Sequence, residues 1–166
     1  NDQAVGKIVE AVSGQKLGDY LQHNFFAPLG MHSTSFKLSP AQRARLASVH
    51  MRGPDEALTV LPFEIPQEPQ FQMGGGGLYS TAPDYLCFTQ MLLHRGTCNG
   101  NQVLQPDTVH TMAQNHIGDL HCVELQAAMP HLTYPPNFFP GMPQKWGLGF
   151  LINTAQTPQG RSPGTL

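Results

Sequence analysis

The sequence predicts an α+β fold, with a mainly helical and loop-rich region over residues 1–144 and a sheet strand with its turn over residues 145–166. Three stretches carry that reading. Asp2–Val12 has the period of an amphipathic helix, Thr81–Leu93 has a marked helix start and an apolar body, and Trp146–Asn153 is the best strand candidate in the chain. At 166 residues the chain is long enough for one domain with a sizeable core and too short to presume two.

In chain order, Val5, Ile8, Val9 and Val12 fall at i, i+3, i+4 and i+7 with Gln3, Lys7 and Glu10 opposite, and Gly14 ends that helix. A second helix is expected over residues 17–25, with Leu17, Tyr20 and Leu21 inward. Phe26-Ala27-Pro28-Leu29-Gly30-Met31 should then turn the chain, because Pro28 disfavours helix at Ala27 and Gly30 permits a positive φ. Ser39-Pro40 predicts a helix from Ala41 to Val49 capped by Ser39. From Gly53-Pro54 to Gln72, four prolines and scattered apolar residues predict an irregular loop laid over the body of the protein.

Gly74–Gly77 then meets a helix start. Thr81 can cap it, Pro83 sits in the first turn, Asp84 stands three residues after the cap, and Gly96 offers a stop. Tyr85, Leu86, Cys87, Phe88, Met91, Leu92 and Leu93 surround most of that helix, so it should be central and buried. Pro106-Asp107 begins a further helix through Val109 and Met112. Residues 117–145 show little periodicity. After the strand, Thr157–Pro163 could reverse the chain for a partner strand beginning near Leu166.

Composition excludes several classes. Charged residues are 12% and the net charge is −2, which leaves no electrostatic footprint for nucleic acid and no charged disordered tail. The 17 glycines and 15 prolines imply long, conformationally fixed loops. Cys87, Cys98 and Cys122 form no C-x-x-C pair and are odd in number, against a disulfide framework. No run approaches the roughly 20 apolar residues of a membrane span. Asn1-Asp2-Gln3 is not a signal peptide and there is no initiator Met, so the chain reads as an excised piece of a longer protein, with no compartment assigned.

Motif matches were weighed against plainer readings. Gly160-Arg161-Ser162-Pro163-Gly164 fits G-x-S-x-G, yet a nucleophile elbow needs the N–H of the residue after the serine and Pro163 has none, so a turn is the better reading. Ser13-Gly14-Gln15-Lys16 fits S-x-x-K, but Gly14 at a helix end keeps the pair off one helical turn. Among the eight histidines no H-x-x-x-H pair occurs, and Cys122 beside His121 has no second cysteine at ligand spacing. Solvated or loop histidines outrank a metal protein, which would carry stoichiometric metal. Gly74–Gly77 before a helix could bind phosphate, but the Gly-Lys-Ser/Thr ending of a P-loop is missing and two prolines interrupt any preceding strand. A tight loop packed near a strand or cleft fits better.

Several segments together resemble the serine β-lactamase-related superfamily. Asp2–Val12 with Ser13-Gly14-Gln15-Lys16-Leu17, then Phe26-Ala27-Pro28-Leu29-Gly30-Met31 and Thr34-Ser35-Phe36, look like its "helix, S-G, helix, P-L-G-M, T-x-F" passage. Gly75-Gly76-Gly77-Leu78-Tyr79-Ser80-Thr81 with Asp84 is similar to its "G-G-x-G-L-x-S-T-x-x-D" signature, and Trp146-Gly147-Leu148-Gly149-Phe150 resembles the strand before its last active-site strand. The nearest look is to class C β-lactamase-like esterases and transesterases, the family VIII carboxylesterases, with penicillin-binding proteins and D-alanyl-D-alanine carboxypeptidases as the neighbouring branch.

The resemblance implies a piece of the β-lactamase/transpeptidase-like fold, residues 1–166 being one incomplete domain, and acyl transfer on a small-molecule ester, or on a β-lactam or D-Ala peptide. It implies a serine nucleophile, a lysine and a tyrosine sharing base and acid duties, and backbone N–H groups for the oxyanion, with no cofactor and no metal. By order, the S-x-x-K helix should lie upstream of Asn1, the Y-x-N or Y-x-S motif should end at or before Asn1, and the K-T-G or W-G-G strand should follow Leu166. No catalytic residue is therefore assigned within the chain. Gly75 and Gly76 are cleft-lining candidates only. The excised chain is expected to be inactive and marginal in stability. The alternative from another class is a complete non-catalytic ligand-binding domain whose Gly-rich loop and Pro-rich coverings form a groove.

Overall fold

The computed structural model describes residues 2–123, 126–129 and 139–166. The elements are α1 (Asp2–Ser13), α2 (Leu17–Leu21), a π-helical turn (Gln22–Phe26), α3 (Ala27–Leu29), α4 (Pro40–Arg43), β1 (Val49–Arg52), β2 (Leu58–Leu61), α5 (Ala82–Leu93), β3 (Thr97–Cys98), β4 (Asn101–Gln102), α6 (Pro106–Met112), β5 (Gln144–Trp146) and β6 (Leu151–Asn153). Each strand pair is antiparallel and two-stranded, β1 with β2, β3 with β4 and β5 with β6. This helix-rich α+β architecture has the class that the residue patterns predict. The chain divides into two units, residues 1–47 with 63–105, and residues 48–62 with 106–166.

In the first unit, α1 forms over the expected span, and Gly14 leaves it at φ +69° while its N–H still bonds the Glu10 carbonyl at 2.9 Å. Its apolar stripe lies open, with Val5 and Ile8 exposed and Val12 84% exposed. The buried position is Gly6, where an added Cβ would stand 3.2 Å from the backbone N of Gly74 and 3.1 Å from Leu17 Cδ2. A glycine here admits the close approach of the Gly74 backbone.

The second helix does not break before Pro28, as the sequence predicts it should. Ala27 stays helical at φ −64° and ψ −48°, and its N–H reaches the Gln22 carbonyl five residues back. The π turn widens the helix just where Pro28 cannot donate, so α3 continues. Gly30 then ends it at φ +74°, which lets the Met31 N–H bond the Phe26 carbonyl at 2.8 Å.

The expected helix over Ala41–Val49 shrinks to the single turn α4. Its capping box is present, Ser39 Oγ accepting from the Gln42 N–H and Gln42 Oε1 from the Ser39 N–H. Val49 instead enters β1, a case of strand pairing overriding helix propensity.

The core of this unit is Phe26, Leu29, Met31, Met91 and Cys98, with Leu21, Phe25, Cys87, Phe88, Leu92, Val103 and Leu104 around it. α5 starts as expected, Thr81 Oγ1 accepting from the Asp84 N–H at 3.3 Å. It is not buried all round: Met91 is fully enclosed, while Tyr85 and Leu86 are exposed and Leu93 is 80% exposed. α5 thus contributes one face to the core. Gly96 stops the chain at φ +94°, with the Leu104 carbonyl lying where a Cβ would be, 1.9 Å away.

In the second unit, the start of the segment expected as an irregular loop supplies the turn and second strand of a hairpin, with Val49 opposite Leu61 and Arg52 opposite Leu58. Gly53 N–H bonds the Ala57 carbonyl at 2.8 Å, and Glu56 turns the chain at φ +63°. The prolines flank the strands, which is why a count of prolines hides them. The expected continuous strand Trp146–Asn153 is two strands, β5 and β6. Gly147 N–H bonds the Phe150 carbonyl at 2.8 Å, and Gly149 sits at φ +91°.

β5 has company on its other side, where His116 N–H donates to the Trp146 carbonyl and Cys122 N–H to the Gln144 carbonyl, both at 2.9 Å. The expected reversal at Thr157–Pro163 is present. Thr157 N–H bonds the Arg161 carbonyl at 2.9 Å, and Gly164 N–H returns to the Asn153 carbonyl at 2.7 Å. Pro130, Pro135, Pro136 and His131 lie outside the described residues.

Candidate functional site

The glycine loop is held from three directions within the first unit. Behind it, Ser35 and Tyr79 pair as an isolated antiparallel bridge, with N–H to carbonyl distances of 3.0 and 2.9 Å. The Tyr79 hydroxyl then accepts the Ile65 N–H at 2.8 Å, tying in the proline-rich segment. Before the loop, Gln72 Oε1 accepts the Gly18 N–H at 2.5 Å, and a Cβ on Gly18 would stand 2.8 Å from that carboxamide and displace it. Gly74 itself lies on Gly6 of α1. The neighbour against which this loop is pressed is therefore helix backbone, opened by two glycines.

After the loop, a buried polar knot fixes the start of α5. Asp84, 8% exposed, accepts the Ser33 N–H at 2.7 Å and the Thr34 hydroxyl at 2.8 Å through one oxygen. Thr34 Oγ1 also lies 2.8 Å from Ser80 Oγ. By its spacing, three residues after Thr81, Asp84 comes close to a capping box. The structure turns its carboxylate outward from its own helix, to the Ser33–Thr34 turn.

Between the Ser35–Lys37 stretch and residues 65–73 lies a cavity of about 320 Å³, lined by Phe36, Ile65, Pro66, Pro69, Gln70, Phe71, Gln72, Met73 and Gly77. Seven of these carry apolar side chains or none. An added Cβ on Gly77, at φ +89°, would stand 3.4 Å from the Phe36 ring. Of the glycines singled out in the sequence, Gly75 and Gly76 are exposed in the same loop, and Gly77 is the one against the cavity. Charges ring the outside. Lys37 pairs with Glu68, whose carboxyl that hydrogen bond holds below its usual range, and Arg43 grips both oxygens of Glu64 at 3.1 and 2.6 Å. Lys7 Nζ sits 5.2 Å from the centre of the Phe71 ring.

The motif matches are not brought together as catalytic groups. Ser13 Oγ donates to the Val9 carbonyl at 2.6 Å and accepts the Gln15 N–H at 3.2 Å, and Lys16 lies past the helix break. Ser162 lies in the turn, its carbonyl accepting from the Thr165 hydroxyl. Among the described residues no group of three His, Cys, Asp or Glu side chains could hold a metal ion, and no helix is long and apolar enough to cross a membrane. The groups that sequence reasoning missed are Tyr79, Gln72 and the outward role of Asp84. Their partners stand 14 to 54 residues away, beyond any local pattern.

The chain is 32% identical over 156 residues to the monacolin J acid methylbutanoyltransferase of Aspergillus terreus, covering 89% of this chain and 36% of that protein. It is 29% identical over 157 residues to the lovastatin esterase of Penicillium rubens, covering 89% and 38%. The LovD6 mutant of Aspergillus terreus simvastatin synthase superposes with a TM-score of 0.77 at 28% identity, over 98% of this chain and 41% of that one. The chain therefore spans well under half the length of these relatives, which are by name a methylbutanoyltransferase, an esterase and a synthase. The Beta-lactamase family profile matches residues 1–165, and this chain belongs to that family.

Proposed function

We propose that these residues are part of a serine hydrolase that works through an acyl-enzyme on small-molecule esters, either hydrolysing them or passing the acyl group to an alcohol. The observation that supports this most is the continuous likeness to an esterase and an acyltransferase over 89% of the chain, joined to a glycine loop anchored on both sides. In this reading the chain is part of one β-lactamase-related domain. Gly75 and Gly76 line its cleft, while the nucleophilic serine, the lysine and the tyrosine lie outside residues 1–166. A loop of exposed glycines suits a cleft wall, since backbone without side chains can approach a substrate closely.

Chemically, such a site forms an ester between the serine oxygen and the acyl carbon, releases the alcohol, and transfers the acyl group to water or a second alcohol. Residues 1–166 supply shape to that reaction. A fluorophosphonate tests the proposal on the full-length protein. One serine outside residues 1–166 should be modified, with loss of p-nitrophenyl ester hydrolysis in parallel. Hydrolysis that survives complete modification, or no modified serine at all, overturns it.

A further inference from the structure

We propose that the cavity between Phe36 and residues 65–73 is the pocket for the acyl chain of the ester, and that it takes a flexible aliphatic chain of about six to eight carbons. This rests on the acyl-transfer reading above.

The chemistry of the walls sets the class of ligand. Most polar groups that border the cavity are already in use. Gln72 Oε1 accepts from Gly18, the Ile65 N–H donates to Tyr79, and Gln67 bridges the Leu38 N–H and the Ile65 carbonyl. What remains toward the cavity is the Gln70 side chain among the apolar Phe36, Ile65, Pro66, Pro69, Phe71 and Met73. A polar or charged ligand would lose its hydration here for one carboxamide partner, whereas an alkyl chain gains with every methylene removed from water. A volume of about 320 Å³ sits at the small end of ligand pockets, which suits one acyl chain.

Position suits that role. Gly77 forms one wall and is chain-continuous with Gly75 and Gly76, so a chain held in the cavity lies beside the loop that the proposed function puts in the cleft wall. Met73 and Phe71 are exposed at its outer side, and Met73 is a side chain of adaptable shape suited to chains of differing length.

The test uses the full-length protein and two variants, Met73→Trp to fill the cavity and Phe71→Ala to open its wall. Two readouts are taken, octanoate binding by titration calorimetry and the ratio of kcat/KM for octanoyl against acetyl p-nitrophenyl ester. Octanoate should bind the wild type and bind Met73→Trp at least about tenfold more weakly, with the octanoyl-to-acetyl ratio falling by a similar factor. Phe71→Ala should lower the same ratio. Octanoate affinity unchanged in both variants overturns the pocket, whatever the esterase result. Absence of ester hydrolysis and of a labelled serine overturns the acyl-transfer reading instead, and calorimetry still decides the pocket.

Discussion

Asp84 and Thr34, 50 residues apart, share a 2.8 Å hydrogen bond between a buried carboxylate oxygen and a buried hydroxyl. The same oxygen accepts the Ser33 N–H at 2.7 Å, so the first turn of α5 is bolted to the turn that follows Met31. Hydrogen bonds to a charged partner are worth about 1.5–3 kcal/mol each, and a buried donor left without a partner costs as much again. Asp84→Ala should therefore lower unfolding free energy by about 3 kcal/mol in urea titration, and Thr34→Val by about 1–2 kcal/mol. The double variant should fall short of the sum, since both substitutions break the same bond.

Met91 and Leu93 separate the two faces of α5. Met91 is fully enclosed among Phe26, Leu29 and Cys98, so Met91→Ala should cost about 2–5 kcal/mol through lost burial and a residual cavity. Leu93 is 80% exposed, and Leu93→Ala should stay within about 0.5 kcal/mol. Equal losses at the two positions would mean that Leu93 is covered.

Gly96 and Gly100 both sit at positive φ, +94° and +77°, but only Gly96 is crowded, with the Leu104 carbonyl 1.9 Å from where its Cβ would be. Gly100→Ala should cost about 1–2 kcal/mol for left-handed backbone alone. Gly96→Ala must also push apart the β3–β4 hairpin and the chain beyond it, so its loss should exceed that of Gly100→Ala. Thermal melts of the two variants side by side give the comparison.

Glu10 carries a pH dependence. The Lys7 hydrogen bond first, and the Leu17 N–H next, hold its carboxyl below the ordinary value of 4.5. A folded-state value that is depressed stabilises the fold above the unfolded value and loses that effect as pH falls through the folded one. The gap in urea midpoint between wild type and Glu10→Gln should hold from pH 7 to about 4.5 and close below it. High salt should narrow the gap at pH 7, because the Lys7–Glu10 pair is at the surface.

Local rules made part of this protein legible. The helix period of α1, the caps at Ser39 and Thr81, and the stops at Gly14, Gly30 and Gly96 depend on neighbours within four or five residues, and all of them form. The rule against helix before proline failed at Ala27 because a π turn, with the Ala27 N–H on the Gln22 carbonyl, absorbed Pro28. Helix propensity failed over Ala44–Val49 because Val49 found a partner in Leu61, and the strand at Trp146 divided because Gly147 and Gly149 form a turn.

The sequence by itself determined the helix-and-glycine-loop order and, through four segments in the right succession, the family. Tertiary structure alone decided which faces are covered and where the loop rests. Val12 and Leu93 follow the apolar pattern of core residues and lie open, while Asp84 has the pattern of a cap and lies buried in a knot with Ser33, Thr34 and Ser80. The reason is physical: periodicity records which side chains avoid water, but burial depends on what packs against them. For Asp84 that partner is a backbone N–H 51 residues away.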